Sequence, residues 1–313
     1  MDEKNLKEAL SHTFKELEFH NISISIYRCD FQKLRVAHDS VHEFRYLAAN
    51  IVKSEEQCYT RSAFLLYHWE ASDRAHLSFL NALMGHYNAA YTLLRNTLEL
   101  IIKGAFWECL AHKKYRKTAE IVEKESGKKI ENYKITLTSV LDKAISENPS
   151  IEDELENCSV SILDAISPFF EGNEETIPNK KKIIPNVKVM VKQLAFWGIF
   201  DPIQEVTDPV EYIYGLYSEL SDDVHVTLDR TDIGRRLLSG KELFETEVIV
   251  EELNKYCENL HKVMDIGIVA ELNIFEDYIT QDDKTRVWLK ERLADITMLG
   301  LNYSSTKIME VLR

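Results

Sequence analysis

Arg95 and Glu99 stand four residues apart in LLRNTLEL, so one helical face carries a cation and a carboxylate a turn apart. Lys103 lies a further turn along, and Asn88 and Thr92 extend the polar stripe in the other direction. An exposed pair of this kind contributes about 0.3–0.5 kcal/mol. In buried surroundings it needs more partners, because removing one member strands a charge at a cost of roughly 3–5 kcal/mol. Tyr91, Leu98 and Ile102 flank the stripe and narrow its window to solvent.

A partner for that stripe is found in EYIYGLYSELSDDVHVTLD, residues 211 to 229, where Tyr214, Ser218, Ser221 and His225 share one helical face beside an apolar face of Ile213, Leu216, Leu220 and Val224. Histidine moves protons near neutral pH, hydroxyls orient it, and an arginine across a bundle holds phosphate or carboxylate. The plainer alternative is a buried His225 hydrogen-bonded to Ser221 for packing specificity.

A second pattern bears on metals. Asp39-x2-His42, Asp73-x2-His76, Asp222-x2-His225 and Glu258-x2-His261 each place a carboxylate and an imidazole one turn apart, a spacing that di-metal bundles use with glutamate. With 10 histidines and 52 acids in 313 residues, chance supplies roughly two such pairs, so four is a mild excess and surface pairing is the simpler reading. No metal ligand and no cofactor is assigned from these residues. The His38-Asp39 dipeptide carries no weight by itself, and phosphate-loop, dinucleotide-loop and serine-elbow motifs are absent.

Helices must position these groups. Only 10 Gly and 6 Pro occur in 313 residues, too few for the turns of a many-stranded sheet. The spacing predicts helices over residues 3–19, 30–56, 59–83, 85–111, 113–125, 134–147 and 151–167, the last two ended by Asn148-Pro149 and Pro168. Further helices are expected over 186–198, 208–226, 242–275, 282–298 and 303–312. Residues 85–111 are apolar in nearly every direction, which marks a helix surrounded by others. Ile22, Ile24 and Ile26 alternate with serines, and with no second strand to pair they read as an extended connector.

The net charge of -14 argues against a general DNA-binding or anionic-membrane surface. Five cysteines, Cys29, Cys58, Cys109, Cys158 and Cys257, are widely spaced and fit a reducing cytoplasm. The charged MDEKNLKEAL start and the lack of any run of about 18 apolar residues leave no expected signal peptide or membrane span.

An Arg-x3-Glu helix (Arg95, Glu99) followed over a hundred residues on by Tyr217-x3-Ser221-x3-His225 resembles a group of microbial helical proteins near the HEPN superfamily, over about residues 60–110 and 205–270. The resemblance implies a helical bundle, often dimeric, from toxin, phage-defence or RNA-processing systems, whose active members cut RNA with Arg-x4-6-His. No arginine lies four to six residues before His225, and Gly215 to Asp222 hold no basic residue, so the resemblance carries over Arg95, Glu99, Ser221 and His225 without the cleavage motif.

The expected architecture is therefore all-α, a multi-helix bundle with long central helices, a HEPN-like core and accessory helices. Its divisions are N-terminal helices at 1–57, a first half at 58–170, a loop at 171–185, a second half at 186–275 and a C-terminal extension at 276–313. The expected site has His225 and Ser221 as acid–base groups and Arg95, Glu99, Asn88 and Tyr217 as ligand-binding groups. Its partners would be a phosphate-bearing ligand or RNA and a second copy of the chain. A non-catalytic interaction or scaffold protein is the alternative, and a metal-carboxylate bundle enzyme the third; the residues do not decide whether the chain is an enzyme.

Overall fold

Helix starts are written in short polar side chains. Asp30 accepts from Gln32 N at 2.9 Å, Ser62 from Leu65 N at 3.1 Å and Asn186 from Val189 N at 3.0 Å, each satisfying one of the donors that a helix start leaves open. Thr136 and Ser139 form a reciprocal capping box. At the tight reversal after Leu83, Gly85 takes φ 85° and His86 N returns to Asn81 O at 2.9 Å, a left-handed exit that a side chain would strain.

The computed structural model describes residues 11, 19–52, 60–119, 136–171, 184–224 and 248–313. Among these it has fourteen α-helices and no strand. They are α1 (His20–Arg28), α2 (Phe31–Ile51), α3 (Ala63–Leu83), α4 (Tyr87–Ala111), α5 (Lys113–Arg116), α6 (Leu137–Glu147), α7 (Ser150–Asn157), α8 (Ile162–Glu171), α9 (Val187–Phe196), α10 (Pro209–Val224), α11 (Val250–Ile274), α12 (Glu276–Gln281), α13 (Asp283–Met298) and α14 (Asn302–Val311). The all-α bundle with long central helices is thus observed.

The centre is α4, which packs on α3, α9, α10 and α11, as its all-round apolar sequence requires. The equally long α11 lies against α2, α3, α4 and α14. One continuous core runs from Cys29 to Val311 and joins residues of both expected halves. Two glycines permit the closest approaches. A Cβ on Gly104 would stand 2.8 Å from Tyr67 Cβ on α3, and one on Gly267 would stand 2.6 Å from the ring of Phe44 on α2.

Three local expectations are corrected. Residues 20–28 form helix α1 rather than an extended connector: Asn21 Nδ2 donates to Met84 O at 3.1 Å and Ser25 Oγ to Leu83 O at 2.6 Å, so its buried face is the polar one, set four residues apart. Residues 151–167 are not one helix, because a 3-10 turn at Ser159–Ser161 separates α7 from α8. Pro168 lies inside α8 rather than ending it, at the expense of one backbone hydrogen bond. After Ala111 the helical turn α5 ends at Arg116 and residues 117–119 are turn, while residues 120–125 of the expected helix lie outside the described residues. The expected helix at 3–19 lies outside the described residues apart from Ser11 and Phe19, and so do residues 172–183 of the expected loop and the first residues of the 242–275 helix.

Glycine replacement gives a matched test of the packing. Gly104→Ala drives two Cβ atoms together and should destabilise the fold by about 1–3 kcal/mol despite the better helix propensity of alanine. Gly215→Ala on α10, where a Cβ would meet nothing within 4 Å, should stabilise it by about 0.5–1 kcal/mol. Chemical denaturation of the two variants checks both signs.

Candidate functional site

The polar stripe of α4 faces α10. Arg95 Nη2 donates to the Tyr217 hydroxyl at 2.8 Å, and its guanidinium carbon lies 5.0 Å from the centre of the Tyr217 ring. Such a cation–aromatic contact adds about 0.5–1 kcal/mol at a partly exposed position. The Tyr217 hydroxyl donates onward to Glu99 Oε2 at 3.4 Å, and Glu99 Oε1 is 2.6 Å from Lys103 Nζ. Arg95 and Glu99 are therefore linked through the Tyr217 hydroxyl, with the direct ion partner of Glu99 being Lys103.

The stack continues along α10. Tyr214 lies 6.2 Å from Tyr217 with ring planes 24° apart, and Lys188 Nζ on α9 lies 5.0 Å from the centre of the Tyr214 ring. Two tyrosines are thus bracketed by two cations. Arg95 Nε is buried and finds no partner among the described residues, the condition of a donor that a bound oxygen would satisfy.

The other expected members divide. Ser221 Oγ donates back to Tyr217 O at 2.7 Å, which places it one turn beyond the cluster with its proton committed to the backbone. Asn88 is exposed near the start of α4, two turns before Arg95, where its backbone carbonyl accepts from Thr92 Oγ1 at 2.7 Å. His225 lies outside the described residues.

A second polar centre, at the other end of α4, was not anticipated. Glu108 Oε2 accepts from Ser62 Oγ at 2.8 Å, Phe64 N at 2.9 Å and Ser159 Oγ at 2.6 Å, tying the start of α3 and the 3-10 turn to α4. His112 sits between two carboxylates, with Nε2 3.4 Å from Glu108 Oε1 and Nδ1 3.1 Å from Glu156 Oε2. Burial alone would raise the Glu108 carboxyl, yet His112, Ser159 and the Phe64 amide together hold it below its ordinary value. The hydrogen bond to Glu108 chiefly raises His112. These groups line a cavity of about 580 Å³ with Lys114, Asp277 and Tyr278. The signal in the sequence was Glu108-x3-His112, four residues apart, whereas the acid–imidazole pairs considered there were three apart.

A third pair is sealed in the core. His68 Nδ1 lies 2.9 Å from Glu271 Oε1 with both side chains at 0% exposure. Burial pushes His68 down to about 3 and Glu271 well above its ordinary value, so burial disfavours the charged form of each. Among the described residues, no three His, Cys, Asp or Glu side chains are set, as they stand, to hold a metal ion.

The Glu108 centre has a pH signature. A raised His112 stabilises the fold fully below its unfolded value near 6.5 and loses that contribution as pH rises through its folded value. A lowered Glu108 stabilises above its unfolded value near 4.3 and loses that contribution on acidification. The loss of thermal stability in His112→Gln should therefore be largest between about pH 4.5 and 6.5 and shrink in alkali, as melting curves across pH would record.

No family model, curated protein or solved structure matches the chain.

Proposed function

We propose that the face between α4 and α10 binds a phosphate-bearing ligand or RNA, in a HEPN-like helical protein of a microbial defence or stress system. The observation that carries this reading is the 2.8 Å bond from Arg95 Nη2 to the Tyr217 hydroxyl, which fixes a guanidinium against an aromatic ring beside Lys103. Arginine presents five donors in a planar fork matched to phosphate oxygens, and a fork already oriented loses less entropy on binding. Glu99 accepts from the Tyr217 hydroxyl and holds Lys103 one turn further along α4. In this reading His225 acts as acid or base with Ser221 positioning it, and a second copy of the chain completes the assembly.

One observation favours a non-catalytic scaffold instead. Glu99, Tyr217 and Lys103 already satisfy one another, as a structural network between packed helices would.

Binding and stability separate the two readings. A short single-stranded RNA carrying a 5′-phosphate should bind the wild-type chain more tightly than the same RNA without it. Arg95→Ala should weaken that binding about 10–100-fold, the loss of a charge-assisted hydrogen bond worth about 1.5–3 kcal/mol. Tyr217→Phe should weaken it less, with melting temperatures nearly unchanged in both variants. If the wild-type chain binds neither RNA, and Arg95→Ala mainly lowers the melting temperature, the scaffold reading stands.

A further inference from the structure

Three histidines from two helices meet on the surface between α2 and α3, away from the α4–α10 face. His38 and His42 are one turn apart on α2, with their Nε2 atoms 3.0 Å apart and ring centres 4.4 Å apart. His76 on α3 meets His42 edge-on, with ring centres 5.3 Å apart and planes at 74°. Three imidazoles bonded tetrahedrally to one ion at about 2.0–2.1 Å would have ring centres roughly 5.2 Å apart, which the His42–His76 separation matches and the His38–His42 separation would have to widen to reach.

The outer rings are held by their other nitrogen. His38 Nδ1 is 3.0 Å from Asp39 Oδ1, and Asp39 is itself held by Arg35 Nε at 3.3 Å. His76 Nδ1 is 2.9 Å from Ser72 O, a carbonyl that can only accept. Both rings therefore carry their proton on Nδ1 and present a bare Nε2, the arrangement in which a carboxylate or backbone carbonyl orients a metal-binding histidine. With the His38 nitrogen bare, His42 must donate its own Nε2 proton across the 3.0 Å gap.

We propose that His38, His42 and His76 form a binding site for a divalent transition-metal ion of the zinc class. As the side chains stand, two nitrogens converge and a third does not yet complete the set. Binding moves the His42 proton from Nε2 to Nδ1, seats the ion to the side of the His38–His42 gap at about 2.0–2.1 Å from both nitrogens, and brings His76 Nε2 in by a shift of its side chain. Water takes the remaining tetrahedral position. Neutral imidazoles suit zinc over magnesium or calcium, which prefer oxygen ligands. The site is independent of the reading of Arg95 and Tyr217.

Calorimetric titration of the full chain, stripped with chelator, with zinc chloride alone tests the site. One ion should bind per chain at micromolar or lower concentration, and Co2+ in its place should produce the visible absorption of a tetrahedral nitrogen site. His38→Gln, His42→Gln and His76→Gln should each weaken zinc binding at least about tenfold, or 1.4 kcal/mol. Melting curves in chelator should stay close to wild type, most clearly for His38, whose side chain is 48% exposed. The proposal is overturned if the wild-type chain fails to bind zinc below about 100 μM, about 5.5 kcal/mol. It also fails if the triple variant binds as the wild type does, or if His76→Gln leaves affinity unchanged and reduces the site to a two-histidine clamp.

Discussion

Burial of α4, on one side over its first part and all round from Gly104 to Ala111, is the constraint from which the rest of the structure follows. Leu94, Leu98, Ile101, Ile102 and Phe106 line one side of the helix, and each is at most 1% exposed. Burying each such side chain is worth about 1.5–3 kcal/mol, set against the entropy of ordering the chain. Five of them outweigh any single polar contact. Gly104 lets α3 pack closely on α4, and Gly267 lets α11 pack closely on Phe44 of α2 and Ile101 of α4. Its rotation then decides which polar residues are left over: Arg95, Glu99 and Lys103 line the edge facing α10, and Glu108 is carried to the junction with α3.

Buried ionisable groups in this core are accommodated in different ways according to the donors within reach. Glu108 remains ionised because two hydroxyls and a backbone amide surround one oxygen. Asp265 is used to cap the start of α14 from α11, accepting from Tyr303 N at 3.1 Å, Ser304 N at 2.8 Å and the Ser304 hydroxyl; burial nevertheless raises it. Glu271 has no comparable set of donors, and burial beside His68 raises it well above its ordinary value. The contrast matters for function. Glu108, His112 and Glu156 line a cavity and hold elements together, whereas His68 and Glu271 are sealed away from any ligand.

Much of the architecture was legible from periodicity. The apolar stripes of α2, α3, α9, α10 and α11 fall where 3.6-residue spacing places them, and the all-round apolarity of residues 85–111 marks α4 as central. Residues 20–28 misled because alternating Ile22, Ile24 and Ile26 imitate a strand, while the buried contacts are made by Asn21 and Ser25 to carbonyls 58 or more residues away. The chemistry of the Arg95 stripe and Tyr217 was readable, but the Tyr217 hydroxyl standing between Arg95 and Glu99 depends on how α10 is turned. The meeting of His42 with His76 likewise depends on the relative rotation of two helices, which spacing along one helix does not encode.

Native-state amide hydrogen exchange tests the central claim most directly. If α4 is the beam on which the bundle is built, amides of residues 101–111 should exchange only through global unfolding, with a free energy equal to that from denaturant melts. Residues near Asn88, at the exposed start of the same helix, should open more readily. Exchange of 101–111 through a low-energy local opening, while α2 or α11 stays protected, would contradict the account and place the stabilising centre elsewhere.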